Sequence, residues 1–235
     1  MKTRTLINYA LLLIGLLNAP VAQAQQTNKL LYRVSAKFAT VKDYSVDVHI
    51  KVDMPFLRML PINAKIYFKQ KDKFKVESKS IAIVPKQSFV QLTKLIADTN
   101  SYTAMQQGRE TINGTPTALI NIIPISDTSD VVLGKLWIDD KQMVIVKSMI
   151  TTKSNGTILT TYTYNNQINY GLPDIMLFEV DVKKFKIPKA IAADINTSQA
   201  NAIKDDGKPK KGKIILTLTN YKINKGIADS FFKKN

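Results

Sequence analysis

From Val46 onward the chain alternates apolar and polar side chains at period two, a pattern that fits β-strands with one buried face. Val46, Val48, Ile50, Val52 and Met54 interleave with Ser45, Asp47, His49, Lys51 and Asp53. Successive strand side chains point to opposite faces, so the first set is buried together and the second meets water. Ile62, Ala64, Ile66 and Phe68 repeat the pattern against Asn63, Lys65, Tyr67 and Lys69. After the polar turn Gln70-Lys71-Asp72, Phe74 and Val76 oppose Lys73, Lys75 and Glu77. Half-buried strands of this kind build antiparallel sheets, one face packed and one wet.

Beyond Tyr102 a meander of such strands is expected. Asn113-Gly114 and Asn155-Gly156 lie between alternating runs, where both turn residues must take positive φ. Asp139-Asp140 marks a further turn, between Val131–Ile138 and Gln142–Ile150. A long strand is expected at Ile175–Ile187, its apolar phase switching near Lys183-Lys184 as a bulge would require. The last strand spans Lys213–Ile223, and the lysine-rich stretch 188–212 forms a surface excursion with a helical turn near 191–195. Two segments have helical period instead. Leu30, Leu31, Val34, Phe38 and Val41 form one stripe over 28–41, and Phe89, Leu92, Leu95 and Ile96 a short face between Ser88 and Asp98. The expectation is one α+β domain over 25–235, with about ten strands and two or three helices.

Residues 1–24 have the form of an export signal. Lys2 and Arg4 precede the uncharged apolar run Leu6–Leu17, and Ala22-Gln23-Ala24 offers small residues for cleavage. The run is shorter than the ~20 residues a spanning helix needs. Removal of 1–24, with Lys2 and Arg4, would leave 211 residues of net charge +14. A soluble, exported monomer in the periplasm is expected.

The chain offers little for catalysis. It has no cysteine and one histidine, so thiolate sites and sites needing two imidazoles are excluded. Neither a dinucleotide fingerprint nor a phosphate-binding loop occurs. His49 shares its face with Asp47, Lys51 and Asp53, which a solvated strand explains without a metal. Asp139-Asp140 serves as a turn, and the sequons at Asn113 and Asn155 are accounted for as hairpins. No enzyme, metal or cofactor is expected. The 34 basic side chains against 18 acidic ones favour anionic membranes or lipid head groups. Nucleic acid is not expected, since most aromatics fall on apolar faces rather than on a stacking platform.

Met54-Pro55-Phe56-Leu57-Arg58-Met59-Leu60-Pro61 joins two strands yet is apolar, where a turn should be polar. Either it tucks under the first helix and closes one end of the core, or it forms an exposed lip for a lipid, membrane or client.

Three stretches resemble the LolA/LolB-like lipoprotein carriers. Ala64-Lys65-Ile66-Tyr67-Phe68-Lys69-Gln70-Lys71-Asp72-Lys73-Phe74 is similar to the family's first strand-turn-strand. Leu136-Trp137-Ile138-Asp139 with Met143-Val144-Ile145-Val146-Lys147 resembles its later hairpin, which Thr151 to Tyr164 and Leu172-Pro173-Asp174 continue. The resemblance covers about 40–225. It implies an incomplete antiparallel barrel, curled around an apolar cavity and covered by helices, in which acyl chains of lipoproteins or other lipids travel towards the outer membrane. Membrane-bound donor and acceptor proteins are then expected partners. Val48, Ile50, Ile66 and Phe68, with Phe74, Phe89, Leu92 and Ile96, would line the cavity. Met54, Phe56, Leu57, Met59 and Leu60 would form its lip. Those carriers have Arg-Pro in the first turn, the arginine fastening the lid; this chain has Gln70-Lys71, so Lys69, Gln70 and Lys71 are its candidates for lid or head-group contact. An envelope stress-sensing or protein-interaction module with the same fold is the alternative.

Overall fold

The computed structural model describes residues 27, 29–54, 57–58, 60–71, 73–79, 92, 95–154, 156–181 and 211–233. One helix, α1 (29–39), precedes eleven strands: β1 (Asp43–Met54), β2 (Leu57–Arg58), β3 (Ile62–Lys69), β4 (Lys73–Ser78), β5 (Tyr102–Ile112), β6 (Thr115–Pro124), β7 (Val131–Asp139), β8 (Val144–Thr152), β9 (Gly156–Thr163), β10 (Ile175–Asp181) and β11 (Lys211–Ile223). Leu92 and residues 95–97 are helical. A 3-10 turn follows at Asp229–Phe232.

All eleven strands belong to one antiparallel sheet in the order β4-β3-β1-β11-β10-β9-β8-β7-β6-β5, with β2 pairing β1 off this path. The edges β4 and β5 do not pair with each other, so the sheet is an incomplete barrel. One register row runs Val52–Ile214–Phe178–Thr160–Ser148–Leu136–Ile120 across seven strands, and every member is buried. Hydrogen-bonded rungs thus carry the period-two pattern of each strand onto a common inner face.

Local chemistry places the turns. Asn113 and Gly114 take φ of 47° and 81°, the doubly positive geometry of a tight hairpin. The β7–β8 turn is longer than the sequence suggests. The Asp139 carboxylate accepts the N–H groups of Lys141 and Gln142, and Met143 has φ 53°, so Gln142 and Met143 belong to the turn.

Three other boundaries move. α1 stops at 39, with Val41 packed beneath it at 2% exposure rather than on its stripe. β1 starts at Asp43, not Val46, because Asp43 and Tyr44 are both buried and break the alternation. β11 begins at Lys211, inside the expected excursion: exposed Lys211 and Lys213 alternate with buried Gly212 and Ile214, a strand pattern hidden by lysine content. The expected bulge near Lys183-Lys184 and the excursion up to 210 lie outside the described residues, as do Ser88, Phe89 and the leader.

Candidate functional site

The inner face of the described strands is an extended apolar surface. Ile62–Ile50–Leu216–Met176–Tyr162 forms a row parallel to the one above, and Ala64–Val48–Leu218 another. Val48, Ile50 and Ile66 are each at most 4% exposed and belong to one core cluster with Leu92 and Ile96. Phe68 and Phe74, cross-strand partners, pack against its margin. Phe68 stacks on Tyr44 at 5.2 Å, and Tyr44 meets Tyr221 edge-on at 5.8 Å, so aromatic rings close this end. Seven of the eight residues expected to line a cavity therefore lie on, or against, that face, Phe74 at its β4 edge; Phe89 lies outside the described residues.

Two covering pieces rest on the face. α1 contributes Leu31 and Val34, both fully buried. The helical residues 95–97 lie over β7 at Gly134, where an added Cβ would stand 3.7 Å from Leu95 and 3.4 Å from Ile150.

Polar groups fix the rim of α1 rather than its apolar contact. Gln70 donates from Nε2 to the carbonyls of Ala39 (2.9 Å) and Val41 (3.1 Å). Asn224, arriving after β11, donates to the Thr40 carbonyl at 3.0 Å. On the opposite side Lys37 Nζ reaches the Gln142 carbonyl in the β7–β8 turn. Burial pulls the Lys37 pKa down, partly offset by Asp139. Carbonyls at a helix end lack intrahelical partners, and Gln70 and Asn224 supply them here, while Lys37 ties the helix to the β7–β8 turn. Gln70 thus touches the covering helix. Lys71 is exposed at φ 66°, and Lys69 binds elsewhere, to Asp229 at 2.5 Å and the Ile227 carbonyl at 2.7 Å.

Inside the face, polar groups are few, and one of them, the buried Tyr102 hydroxyl, has no hydrogen-bond partner among the described residues. Ser148 and Tyr162 share a buried hydrogen bond of 3.0 Å, and burial pushes the Tyr162 phenol up to about 12.

The apolar joining segment divides. Met54 is buried at 5%, Leu57 pairs with it in β2, and Leu60 is 87% exposed; Phe56 and Met59 lie outside the described residues. A separate groove of about 880 Å³ opens on the wet side, lined by Asp47, His49, Asn63, Lys65 and Glu77 among others. His49 Nδ1 stands 2.9 Å from Asn63 Oδ1. Asp47 is held below the usual carboxylate range by the Asn220 amide and then by Lys65. Among the described residues no three His, Asp or Glu converge to hold a metal.

The tail at 224–233, which folds back over β3 and β4, is functional-looking surface that periodicity did not mark. Its signal was available in Asn224-Lys225-Gly226, a turn tripeptide placed directly after the last strand.

No family model and no curated protein matches the sequence. Solved structures do share its fold. A DUF1329 family protein from Desulfovibrio piger superposes with a TM-score of 0.61 at 11% identity, over 90% of this chain and 97% of that one. A domain named for outer membrane lipoprotein sorting, from Vibrio parahaemolyticus, gives 0.60 at 10% identity, over 89% and 97%. A LolA superfamily protein from Nitrosomonas europaea gives 0.53 at 13%, over 88% and 97%. The fold is LolA-like.

Proposed function

With a LolA-like sheet as premise, we propose that this chain is a periplasmic carrier that binds acyl chains of lipoproteins or lipids and ferries them towards the outer membrane. The carrying observation is the apolar inner face of a sheet left open between β4 and β5, covered by α1 and residues 95–97 through apolar contacts, with side-chain hydrogen bonds at the end of α1. An acyl chain entering between sheet and cover exchanges one apolar contact for another. Each methylene buried supplies ~0.8 kcal/mol, so a 16-carbon chain gains roughly 10 kcal/mol before the cost of parting the cover. With few polar anchors on that face, cargo of different head groups is accommodated and release stays feasible.

Val48, Ile50, Ile66, Leu92 and Ile96 would be the central contacts, with Phe68 and Phe74 towards the margin; Phe89 would join them as a further cavity residue. Leu60, Phe56 and Met59 would guide the chain at the lip. Gln70 holds the cover through two carbonyls, a neutral counterpart of an arginine's fork that binds more weakly.

Native mass spectrometry of the mature protein, purified from a periplasm without detergent, is the test. An added mass identified as an acyl lipid is expected, together with uptake of a triacylated peptide and no binding of its unacylated form. Equal binding of both forms would turn the assignment to protein recognition.

A further inference from the structure

After β11 the chain does not leave the sheet. Asn224 donates its N–H to the Asp43 carbonyl at 2.8 Å, and the Asp43 carboxylate accepts the N–H groups of Lys225 (3.0 Å) and Gly226 (3.1 Å). The tail is thereby rooted on β1. Beyond Gly226, at φ 82°, it crosses the wet face of the β3–β4 hairpin. Asp229 bridges Lys69 (2.5 Å) and Lys73 (2.6 Å), and the Phe231 ring lies 4.5 Å from Tyr67 and 4.1 Å below Lys75 Nζ. One carboxylate and one phenyl ring thus engage three half-buried lysines, of which Lys75 also pairs with Glu77 at 3.1 Å.

These contacts are strong in geometry and weak in net effect. The Asp229 side chain is 60% exposed, and exposed ion pairs contribute little and are screened by salt. The tail binds because it is tethered beside its site, which gives a local concentration that a free peptide or phosphate does not match. A surface that engages several lysines at once escapes this disadvantage. The sequence of the tail adds a second argument. Phe231-Phe232 is followed by Lys233-Lys234, aromatic rings beside basic charge, the composition that partitions into an anionic membrane interface.

We propose that the segment Ile227–Lys233 is a latch that an anionic bilayer opens. Closed, it engages Lys69, Lys73 and Lys75; open, those lysines meet lipid phosphates while Phe231 and Phe232 enter the interface. The proposal rests on the carrier reading and names the surface through which such a carrier meets a membrane.

The chain lacks cysteine, so Ser230→Cys, at an exposed position, takes a single environment-sensitive dye. Vesicles of phosphatidylglycerol and phosphatidylcholine are expected to blue-shift the dye, whereas phosphatidylcholine vesicles and free glycerol phosphate leave it unchanged. Phe231→Ala with Phe232→Ala should weaken partitioning roughly tenfold. Asp229→Asn frees the lysines and should tighten it about fivefold. Asp127→Asn, the same charge change in the loop between β6 and β7, should alter it less than about twofold. Equal effects of the two Asp variants, undiminished binding of the double Phe variant, or displacement of the latch by an Asp-Ser-Phe-Phe peptide without vesicles each overturn the proposal. Acyl uptake is measured separately. A dye response without uptake keeps the latch and removes the carrier; uptake without a dye response does the reverse.

Discussion

Asp43 is 5% exposed and stands where α1, β1 and the tail meet, with its carboxylate turned to two backbone N–H groups. Hydrogen bonds to a buried charge are stronger than neutral ones, and truncation leaves the donors unpaired. Asp43→Ala is therefore expected to lower unfolding free energy by about 2–3 kcal/mol in urea titration. Glycine chemistry gives a paired comparison. Gly171 has φ 67°, and a Cβ there would press the Phe38 ring of α1 at 3.2 Å; Gly114 has φ 81° and open space around it. Gly114→Ala should cost about 1 kcal/mol from backbone strain alone. Gly171→Ala adds a clash with α1 and should lower the melting temperature further. Equal shifts for the two would mean that Phe38 moves aside freely.

Among the elements, the tail has a pH dependence of its own. Lys69 and then Lys73 hold the Asp229 carboxyl at about 2, below its ordinary 3.8. A depressed carboxylate pKa stabilises the closed tail above the ordinary value and loses that stabilisation as pH falls towards the depressed one. Attachment should thus be flat from pH 7 to 5 and weaken between about 4 and 2, followed as the Phe231 ring resonances in NMR. Asp229→Asn should abolish that step.

Strand positions were legible because alternation and turn chemistry agree: Ile62–Lys69 and the Asn113-Gly114 hairpin stand where the sequence places them. Lys211 and Gly212 were not, since lysines on a wet strand face look like a polar loop until Ile214 shows the phase. At the candidate site, the strand residues Val48, Ile50, Ile66 and Phe68 follow from the same alternation. The grip of Gln70 on Ala39 and Val41 does not, because it joins segments whose approach only the sheet order decides. The pairing of Lys69 with Asp229 was equally hidden, because the two residues lie far apart along the chain.

In the whole molecule, both sheet edges are blunted against association. β5 carries Gln106, Gln107, Arg109 and Glu110 and a register irregularity at Gln106/Gly108, where Gly108 takes φ 149°. β4 carries Lys73, Lys75 and Glu77 and is overlaid by the tail. Edge charges and bulges discourage strand addition. Replacing Arg109 and Glu110 by Val should therefore promote self-association, read as sedimentation above the monomer mass at concentrations where the parent chain stays monomeric.

The pairing of β1 with β11 sets a timetable for folding. It joins the two ends of the described chain, Lys42 and Asn224 being 182 residues apart, and places that seam in the middle of the sheet. The hairpins from β5 to β9 close over short loops and can form as soon as they are synthesised, whereas the central seam waits for the last strand. Pulse-labelling exchange during refolding should protect β6–β8 amides before those of β1. A chain built this way stays incompletely folded until its C-terminal strand has arrived, which is the condition in which a polypeptide can be threaded through a narrow export channel.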